Sequence, residues 1–170
     1  NPNDLEARSN MILASSMAGI GFGNAGVHLC HGMSYPVSGM VKNFIPHGLT
    51  SDHPIIPHGL SVILNAPAVF KFTGEACPER HLKVAKIMGA KINNIKDPKN
   101  EAGLILSNEI IKLMKDLEVP NGLSAIGFNK NDIPNLIKGT LPQHRVTKLS
   151  PRSANAEDLN KLFNDSMTLW

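Results

Sequence analysis

The chain has 170 residues, of which 42% are hydrophobic and 18% are charged, and its formal net charge is +3. This length and composition predict one domain that can bury a core, so intrinsic disorder is excluded. The 17 lysines and arginines are scattered, only 5% of residues are aromatic, and no apolar run is long enough to span a bilayer, so we expect neither a nucleic-acid partner nor a membrane partner.

The first predicted helix begins at Asn3, which can cap it, with Glu6 in the capping-box position. Its apolar residues recur at helical spacing and give way to small residues near Gly19, which favour close packing against a second helix. The helical pattern extends to about Met40, with a kink or an interruption at Pro36. The chain opens without an initiator methionine or a targeting segment, so we expect it to be part of a longer polypeptide.

Proline and glycine predict a loop over residues 43–57. Further helices are predicted over about 58–72, 78–88, 101–117, 133–138 and 155–168. The clearest of them carries a core-facing stripe at helical spacing, formed by Leu106, Ile110, Leu113 and Leu117. No segment alternates convincingly with a period of two, and residues 146–149 are the best strand candidate. The predicted fold class is therefore all-α.

A glycine motif, Gly21-Phe-Gly23-Asn-Ala-Gly26, matches the G-x-G-x-x-G pattern of dinucleotide-binding loops. That pattern works when a strand leads into the first glycine and an acidic residue follows about 20 positions later. Here the preceding residues have helical spacing, and the stretch 41–51 contains no acidic residue. We therefore interpret the glycines as positions of close helix packing rather than as a cofactor loop.

Five of the seven histidines fall within residues 28–58, far more than an even distribution would place there. Imidazole is a common ligand of iron, zinc, copper and nickel, so the cluster suggests a metal site. His28 and His31 share a helix face if their segment is helical, and His58 follows a proline at a predicted helix start. His47 stands in a similar Pro-His-Gly phrase and competes with His58. Packed or surface histidines explain the residues equally well.

Two other kinds of site are weaker. A self-contained site of two histidines and a carboxylate would need Asp52, which neighbours His53 in the predicted loop. A nucleophilic enzyme would need a strand-to-helix elbow such as G-x-S-x-G, and the sequence has none. Cys30 and Cys77 are too few for a disulfide scaffold and are predicted to be ordinary small buried residues.

Residues 19–33 read GIGFGNAGVHLCHGM and are followed by SYP, and this stretch resembles a signature of the iron-containing (group III) alcohol dehydrogenases. Residues 56–62, IPHGLSV, are similar to the family's second histidine motif. The resemblance spans the chain through shorter phrases, namely NPNDLEAR at 1–8, DHP at 52–54, PERHL at 78–82, KGTLP at 138–142 and RVTKL at 145–149.

This resemblance implies a fold of the type shared with dehydroquinate synthase, in which an N-terminal α/β domain binds NAD(H) and an all-α C-terminal domain holds divalent iron, or zinc. Residues 1–170 are then expected to be part of that helical domain. His31 and His58 match two of the family's four metal ligands, and the other two, an aspartate and a histidine, would lie upstream. Many relatives carry a further histidine where this chain has Tyr35, so a proton relay there is not carried over.

The resemblance also implies a mitochondrial enzyme that passes hydride, through a bound nicotinamide, from 4-hydroxybutyrate to 2-oxoglutarate, giving succinate semialdehyde and 2-hydroxyglutarate. A homo-oligomer is a further expectation. An ordinary NAD-dependent alcohol dehydrogenase and a non-catalytic helical module remain alternatives. Because both substrates are carboxylates, a cation near the metal is expected, and Lys42, Arg80 and Lys148 are candidates. With half of the ligands absent, residues 1–170 alone are expected to be inactive.

Overall fold

The computed structural model describes residues 3–170, is 65% helical and has no strand in that range, so the predicted all-α class is confirmed. Its nine α-helices are α1 (Leu5–Ala25), α2 (Leu29–Gly39), α3 (His58–Ile63), α4 (Ala66–Thr73), α5 (Pro78–Ile87), α6 (Pro98–Asp116), α7 (Ile133–Thr140), α8 (His144–Thr147) and α9 (Ala156–Met167). Short 3-10 turns span Gly74–Ala76, Leu123–Ile126 and Lys130–Asp132. None of the helices in the described range is long and apolar enough to cross a membrane.

The helix starts follow local sequence chemistry. Four helices have a proline in their first turn, where the missing N–H costs nothing: Pro67, Pro78, Pro98 and Pro134. The Asp97 side chain caps α6 by accepting a hydrogen bond from the Asn100 N–H. At α9, the side chains of Asn155 and Asp158 each accept a hydrogen bond from the other's backbone N–H, at 2.9 and 3.1 Å. These caps fix where the packed helices begin.

Helix α6 lies at the centre of one half of the core, in contact with both α4 and α5. Two glycines allow this contact. A Cβ atom on Gly103 would lie 2.6 Å from the Lys71 carbonyl oxygen, and one on Gly74 would lie 2.4 Å from the Cα of Gly103. The backbones of α4 and α6 therefore touch, and any larger residue at Gly103 would separate them.

Helix α2 anchors the other half of the core. Seven of its eleven residues are buried, and it packs against α3, α7 and α8. Pro36 lies inside the helix, which continues through it to Gly39, so the predicted interruption is absent. A Cβ atom on Gly139 would lie 2.6 Å from the Pro36 Cβ, so the proline ring rests directly on the α7 backbone.

The N-terminal region differs from prediction in two ways. Asp4, not Asn3, caps the first helix, because its Oδ1 accepts a hydrogen bond from the Ala7 N–H at 3.0 Å. Helix α1 then ends at Ala25 instead of continuing into α2, because Gly26 adopts φ 75° and turns the chain. Asn1 and Pro2 of the first resemblance phrase lie outside the described residues.

The glycine motif lies inside and just beyond α1, with no strand before it. Within the described residues the expected close packing is wrong for Gly19, Gly21 and Gly23, because nothing lies within 4 Å of a Cβ built on any of them. Gly26 is closely packed, since a Cβ there would lie 2.5 Å from the Leu149 Cδ1. No residue of α1 is buried.

The predicted stripe of α6 is half wrong. Leu106 and Ile110 are buried as expected, but Leu113 is 47% exposed and Leu117 is 65% exposed. The buried face is centred on Ile110 and includes Ala102, Gly103, Ser107 and Met114. Small and polar residues occupy it because a neighbouring backbone comes so close, and a search for large apolar side chains therefore misplaces the face.

Two other elements were also predicted incorrectly. The helix predicted over 58–72 is divided into α3 and α4, because Pro67 has no N–H to continue the α3 hydrogen-bond ladder. Residues 146–149 do not form a strand. Val146 and Thr147 lie in the one-turn helix α8, and the Thr147 hydroxyl donates to the Gln143 carbonyl at 3.1 Å. Packing of α8 against α2 overrides the β preference of the branched side chains.

Candidate metal centre

Two of the five clustered histidines come together. His31 lies in the first turn of α2 and His58 is the first residue of α3, and their ring centroids are 5.2 Å apart with the planes inclined by 56°. His31 is half-buried and His58 is exposed. The pair therefore presents two imidazoles side by side at the protein surface.

A chain of serine hydroxyls sets the spacing of the pair. The Ser38 hydroxyl of α2 donates to the Ser61 Oγ of α3 at 2.9 Å, and the Ser61 hydroxyl donates to the His58 carbonyl at 2.7 Å. Ser61 is fully buried, so these hydrogen bonds are shielded from water. On α2, the Ser34 hydroxyl donates to the His31 carbonyl at 2.8 Å. Both histidines are thus held from the side away from solvent.

Electrostatics keep His31 in the form that binds metals. Partial burial lowers the pKa of His31 below its ordinary value, and the neighbouring His58 lowers it further. A histidine binds a metal through a neutral imidazole, so the geometry and the charge state of His31 favour the same role.

Tyr35 and Arg145 complete the surroundings of the pair. The Tyr35 ring stacks on His58, with centroids 6.4 Å apart and planes inclined by 25°. The Arg145 Nη2 donates to the Tyr35 hydroxyl at 3.2 Å. Sequence reasoning singled out Tyr35 but missed Arg145. Arg145 is 110 residues from Tyr35 in sequence, and the one feature of the sequence that could have pointed to it is its position in the RVTKL phrase.

The self-contained site with Asp52 is not formed. Asp52 is 95% exposed at its side chain, and its Oδ1 contacts the adjacent His53 Nδ1 at 2.6 Å in the loop before α3. His47 is also an exposed loop residue. Within residues 3–170 no three His, Cys, Asp or Glu side chains are grouped closely enough to hold a metal. The described chain therefore brings together two candidate ligands, His31 and His58, and not a closed site.

A second feature lies beside the start of α2, whose N-cap residue is His28. A cleft of about 410 Å³, here called the α5 cleft, is lined by Gly26, His28, Phe70, Arg80, His81 and Leu149, among others. His28 and His81 both meet the Phe70 ring edge-on, with centroids 5.8 and 5.7 Å away. The His28 Nδ1 is buried and has no hydrogen-bond partner among the described residues. Sequence reasoning did not bring these residues together, because they come from four separate segments.

The three cations proposed from the sequence have different surroundings. Lys42 is bound to Asp132, with Nζ and Oδ2 2.6 Å apart. Lys148 is exposed and does not line the α5 cleft, whereas Arg80 does.

The two cysteines have different surroundings, because Cys77 lies 3.4 Å from the His81 Nδ1 and near Arg80, whereas Cys30 is enclosed in the core. Cys30 is buried in α2, and burial raises the pKa of its thiol to about 12, so it stays protonated and inert. This agrees with the predicted structural role. Cys77 is only half-buried, but burial raises its pKa as well.

Comparison with known proteins supports the resemblance. The chain is 61% identical over 171 residues to the probable mitochondrial hydroxyacid-oxoacid transhydrogenase of Dictyostelium discoideum, and 59% identical over 170 residues to the mitochondrial hydroxyacid-oxoacid transhydrogenase of Bos taurus. Both alignments cover 100% of this chain, but 31% and 36% of the relatives. The chain thus spans about a third of the length of the curated relatives it matches. Their names agree with the expected mitochondrial location.

Solved structures and a family model give the same assignment. Alcohol dehydrogenase from Oenococcus oeni superposes with a TM-score of 0.82 at 25% identity, over 98% of this chain and 39% of that one. A 1,3-propanediol oxidoreductase superposes with a TM-score of 0.80 at 24% identity, over 96% and 39%. The C-terminal model of the Fe-containing alcohol dehydrogenase family matches residues 1–167. The chain therefore belongs to the iron-containing alcohol dehydrogenase family and corresponds to its C-terminal, helical part.

Proposed function

We propose that residues 1–170 are the metal-binding part of a longer mitochondrial enzyme that passes hydride from a hydroxyacid to an oxoacid through a nicotinamide cofactor. The observation that carries this proposal is the His31–His58 pair, with ring centroids 5.2 Å apart on α2 and α3. The similarity over the whole chain to proteins named hydroxyacid-oxoacid transhydrogenase supports a hydroxyacid donor and an oxoacid acceptor. Within these classes we propose 4-hydroxybutyrate as the donor and 2-oxoglutarate as the acceptor.

His31 and His58 would supply two ligands to a divalent iron, with zinc as the alternative. Their neutral imidazoles fit either metal, but catalytic sites of this kind take at least three protein ligands. The remaining ligands, an aspartate and a histidine, would come from the part of the polypeptide that this chain does not span. That part would also carry the domain that binds most of the NAD(H). The helical domain would pack against it within the same polypeptide.

When bound, the metal supplies Lewis acidity toward a substrate oxygen, and the nicotinamide accepts and returns the hydride. The residues of this chain orient the reactants. The Tyr35 oxygen accepts a hydrogen bond from Arg145, so its own proton remains available to donate beside His58. The Tyr35 ring lies nearly parallel to the His58 imidazole, with centroids 6.4 Å apart, and so forms a neighbouring wall of the site.

The test replaces each histidine in the full-length protein. His31→Ala and His58→Ala should each lower bound metal to a small fraction per subunit and reduce formation of 2-hydroxyglutarate at least about a hundredfold, because second-sphere changes alone cost 10- to 100-fold. The matched control is His47→Ala, which removes an exposed histidine from the same type of Pro-His-Gly phrase. Loss of metal in His47→Ala but not in His58→Ala would show that His58 is not the ligand.

An ordinary NAD-dependent alcohol dehydrogenase is the second candidate, because the superposed structures include alcohol dehydrogenases. The two functions differ in what happens to the reduced cofactor. A transhydrogenase needs an added 2-oxoacid and no added NAD, whereas a dehydrogenase needs added NAD and releases NADH. A steady-state assay of 4-hydroxybutyrate with either addition alone separates them. Full-length protein that takes up no iron or zinc when these are supplied, and that is inactive in both assays, would instead support the non-catalytic helical module.

A further inference from the structure

We propose that the α5 cleft binds the carboxylate of the hydroxyacid and oxoacid substrates, through the Arg80 guanidinium and the His28 Nδ1. This inference rests on the proposed function, because it names how that function recognises its substrates. It assigns the role of recognition cation, which the sequence left open among Lys42, Arg80 and Lys148.

The cleft has the size and lining of a small-molecule site. Its volume of about 410 Å³ lies within the ~300–1,000 Å³ typical of ligand pockets. Phe70, Val84 and Leu106 give it apolar walls, and no aspartate or glutamate is among the described residues that line it. A carboxylate inside would therefore meet donors and apolar surface but no like charge.

Arg80 is an available cation. Its guanidinium makes no ion pair and no side-chain hydrogen bond with any other residue of the range 3–170. Other cations nearby are already engaged, since Arg152 lies over the Phe72 ring and near Glu75, and Lys42 is held by Asp132. The planar guanidinium has paired donors that match the two oxygens of a carboxylate.

His28 supplies the second polar atom and the link to the metal centre. Its Nδ1 is buried with no hydrogen-bond partner, which is unfavourable until an acceptor such as a carboxylate oxygen is present. The His28 carbonyl accepts a hydrogen bond from the His31 N–H at 2.9 Å, so the cleft begins one helical turn from a proposed metal ligand. In this proposal the carboxylate of a bound hydroxyacid lies in the cleft, beside a residue three positions before His31.

The third polar side chain in the cleft is already satisfied. The His81 Nε2 lies 3.0 Å from the Thr73 Oγ1, and its Nδ1 lies 2.9 Å from the Cys77 carbonyl oxygen. His81 therefore forms a fixed wall and does not bind substrate. Leu149 packs against Gly26 in the lining, because its Cδ1 would lie 2.5 Å from a Cβ on Gly26.

The experiment uses the full-length protein with Arg80→Gln, Arg80→Lys and His28→Phe, which keeps an aromatic ring against Phe70. The control is Lys83→Gln, which removes an exposed cation on α5 that does not line the cleft. Calorimetry measures binding of 2-oxoglutarate, and kinetics compare 4-hydroxybutyrate with 1-butanol, which has the same carbon chain without the carboxylate. Metal content and helicity are checked for every variant.

We expect Arg80→Gln to weaken 2-oxoglutarate binding and to raise the KM for 4-hydroxybutyrate about tenfold to a hundredfold, as loss of a charge-assisted hydrogen bond does. Turnover of 1-butanol by Arg80→Gln should not change. Arg80→Lys should retain part of the affinity for 2-oxoglutarate that Arg80→Gln loses, and His28→Phe should lose less affinity than Arg80→Gln. The control Lys83→Gln should bind 2-oxoglutarate as the wild type does. The proposal is overturned if Arg80→Gln changes neither 2-oxoglutarate binding nor the KM for 4-hydroxybutyrate, or if it impairs turnover of 4-hydroxybutyrate and of 1-butanol equally. It is also overturned if Arg145→Gln, and not Arg80→Gln, weakens 2-oxoglutarate binding.

The two proposals can fail separately. Wild-type protein that transfers hydride between the acids while Arg80→Gln has no effect would keep the proposed function and refute the cleft. Wild-type protein that binds 2-oxoglutarate through Arg80 without turning it over would keep the cleft and refute the proposed function. Wild-type protein that neither binds nor reduces 2-oxoglutarate would refute both.

Discussion

Helices α1 and α2 are neighbours in sequence and both are rich in apolar residues, yet their surroundings are opposite. Seven of the 11 residues of α2 are buried, and none of the 21 residues of α1 is. In α2 the buried side chains meet α3, α7 and α8. In α1 the apolar side chains remain at the surface of the described chain. Apolar composition therefore predicts that a helix packs against other protein, but it does not predict whether the packing partner lies within residues 3–170.

The exposed side chains of α1 are large: Leu5, Met11, Ile12, Leu13, Met17, Ile20 and Phe22 are each more than half exposed. A lone helix of this length is marginal in water, and so many large apolar side chains in contact with solvent mark an interface. Because the relatives are about three times as long as this chain, we expect the remaining polypeptide to cover α1.

The largest expected effect concerns activity. Residues 1–170 alone should show no measurable oxidation of 4-hydroxybutyrate, since α2 and α3 offer only two ligands and α1 is uncovered. Full-length protein, or the fragment joined again to the preceding polypeptide, should be active in the same assay of 2-hydroxyglutarate formation. Turnover by the purified fragment with bound iron would contradict this and would mean that the site is complete within the fragment.

A matched pair of methionines compares the two helices directly. Met33→Ala in α2 should lower the free energy of unfolding of residues 1–170 by about 2–5 kcal/mol, because the side chain is fully buried. Met17→Ala in α1, where the side chain is 62% exposed, should change it by less than about 0.5 kcal/mol. Urea titrations measure both. In full-length protein the cost of Met17→Ala should rise, and an unchanged cost there would argue that α1 is never covered.

Alanine substitutions at two glycines should change stability in opposite directions. Gly103→Ala should destabilise the chain by about 1–3 kcal/mol, because the new methyl group would lie 2.6 Å from a backbone oxygen of α4. Gly21→Ala meets nothing within 4 Å and should favour α1 by up to about 1 kcal/mol, seen as increased helicity by circular dichroism. If Gly21→Ala destabilises the full-length protein, the glycine motif is a site of close packing against the remaining polypeptide.

The smallest effect is a dependence on pH. Burial lowers the pKa of both His28 and His31 below 6.5 in the folded chain. The unfolded chain therefore binds more protons as the solution is acidified, and the free energy of unfolding of metal-free residues 1–170 should decrease as the pH falls below about 6.5. Urea midpoints on either side of that pH measure the effect, and His28→Phe should reduce it. Stability that increases on acidification would contradict the assignment.

Local signals in the sequence predicted much of the fold. Helix-start residues and hydrophobic spacing act within a few turns, so the helices predicted over 78–88 and 155–168 agree closely with α5 and α9, and the one predicted over 101–117 begins three residues after the start of α6. Errors arose where packing decided the outcome. The face of α6 is set by the approach of α4 to Gly103, and α8 replaced a predicted strand because it packs against α2.

The candidate site likewise has one part that short motifs predict and another that depends on how distant segments pack. The proximity of His31 and His58 follows from two short motifs joined by one loop, and both were identifiable from the chain. The Arg145–Tyr35 hydrogen bond and the grouping of Arg80 with His28 join distant segments. No periodicity or spacing in a single sequence reports such contacts, because they depend on how whole helices are placed.

The hairpin formed by α2, the loop and α3 has a consequence for the order of folding. His31 and His58 are 27 residues apart, so bringing them together closes a modest loop, at an entropic cost of about 3 kcal/mol. The Tyr35–Arg145 contact spans 110 residues and depends on α8 being in place. Because short loops close before long ones, we expect the two imidazoles to reach their native separation early. A metal ion would then meet a preformed pair of ligands while the rest of the enzyme is still assembling around it.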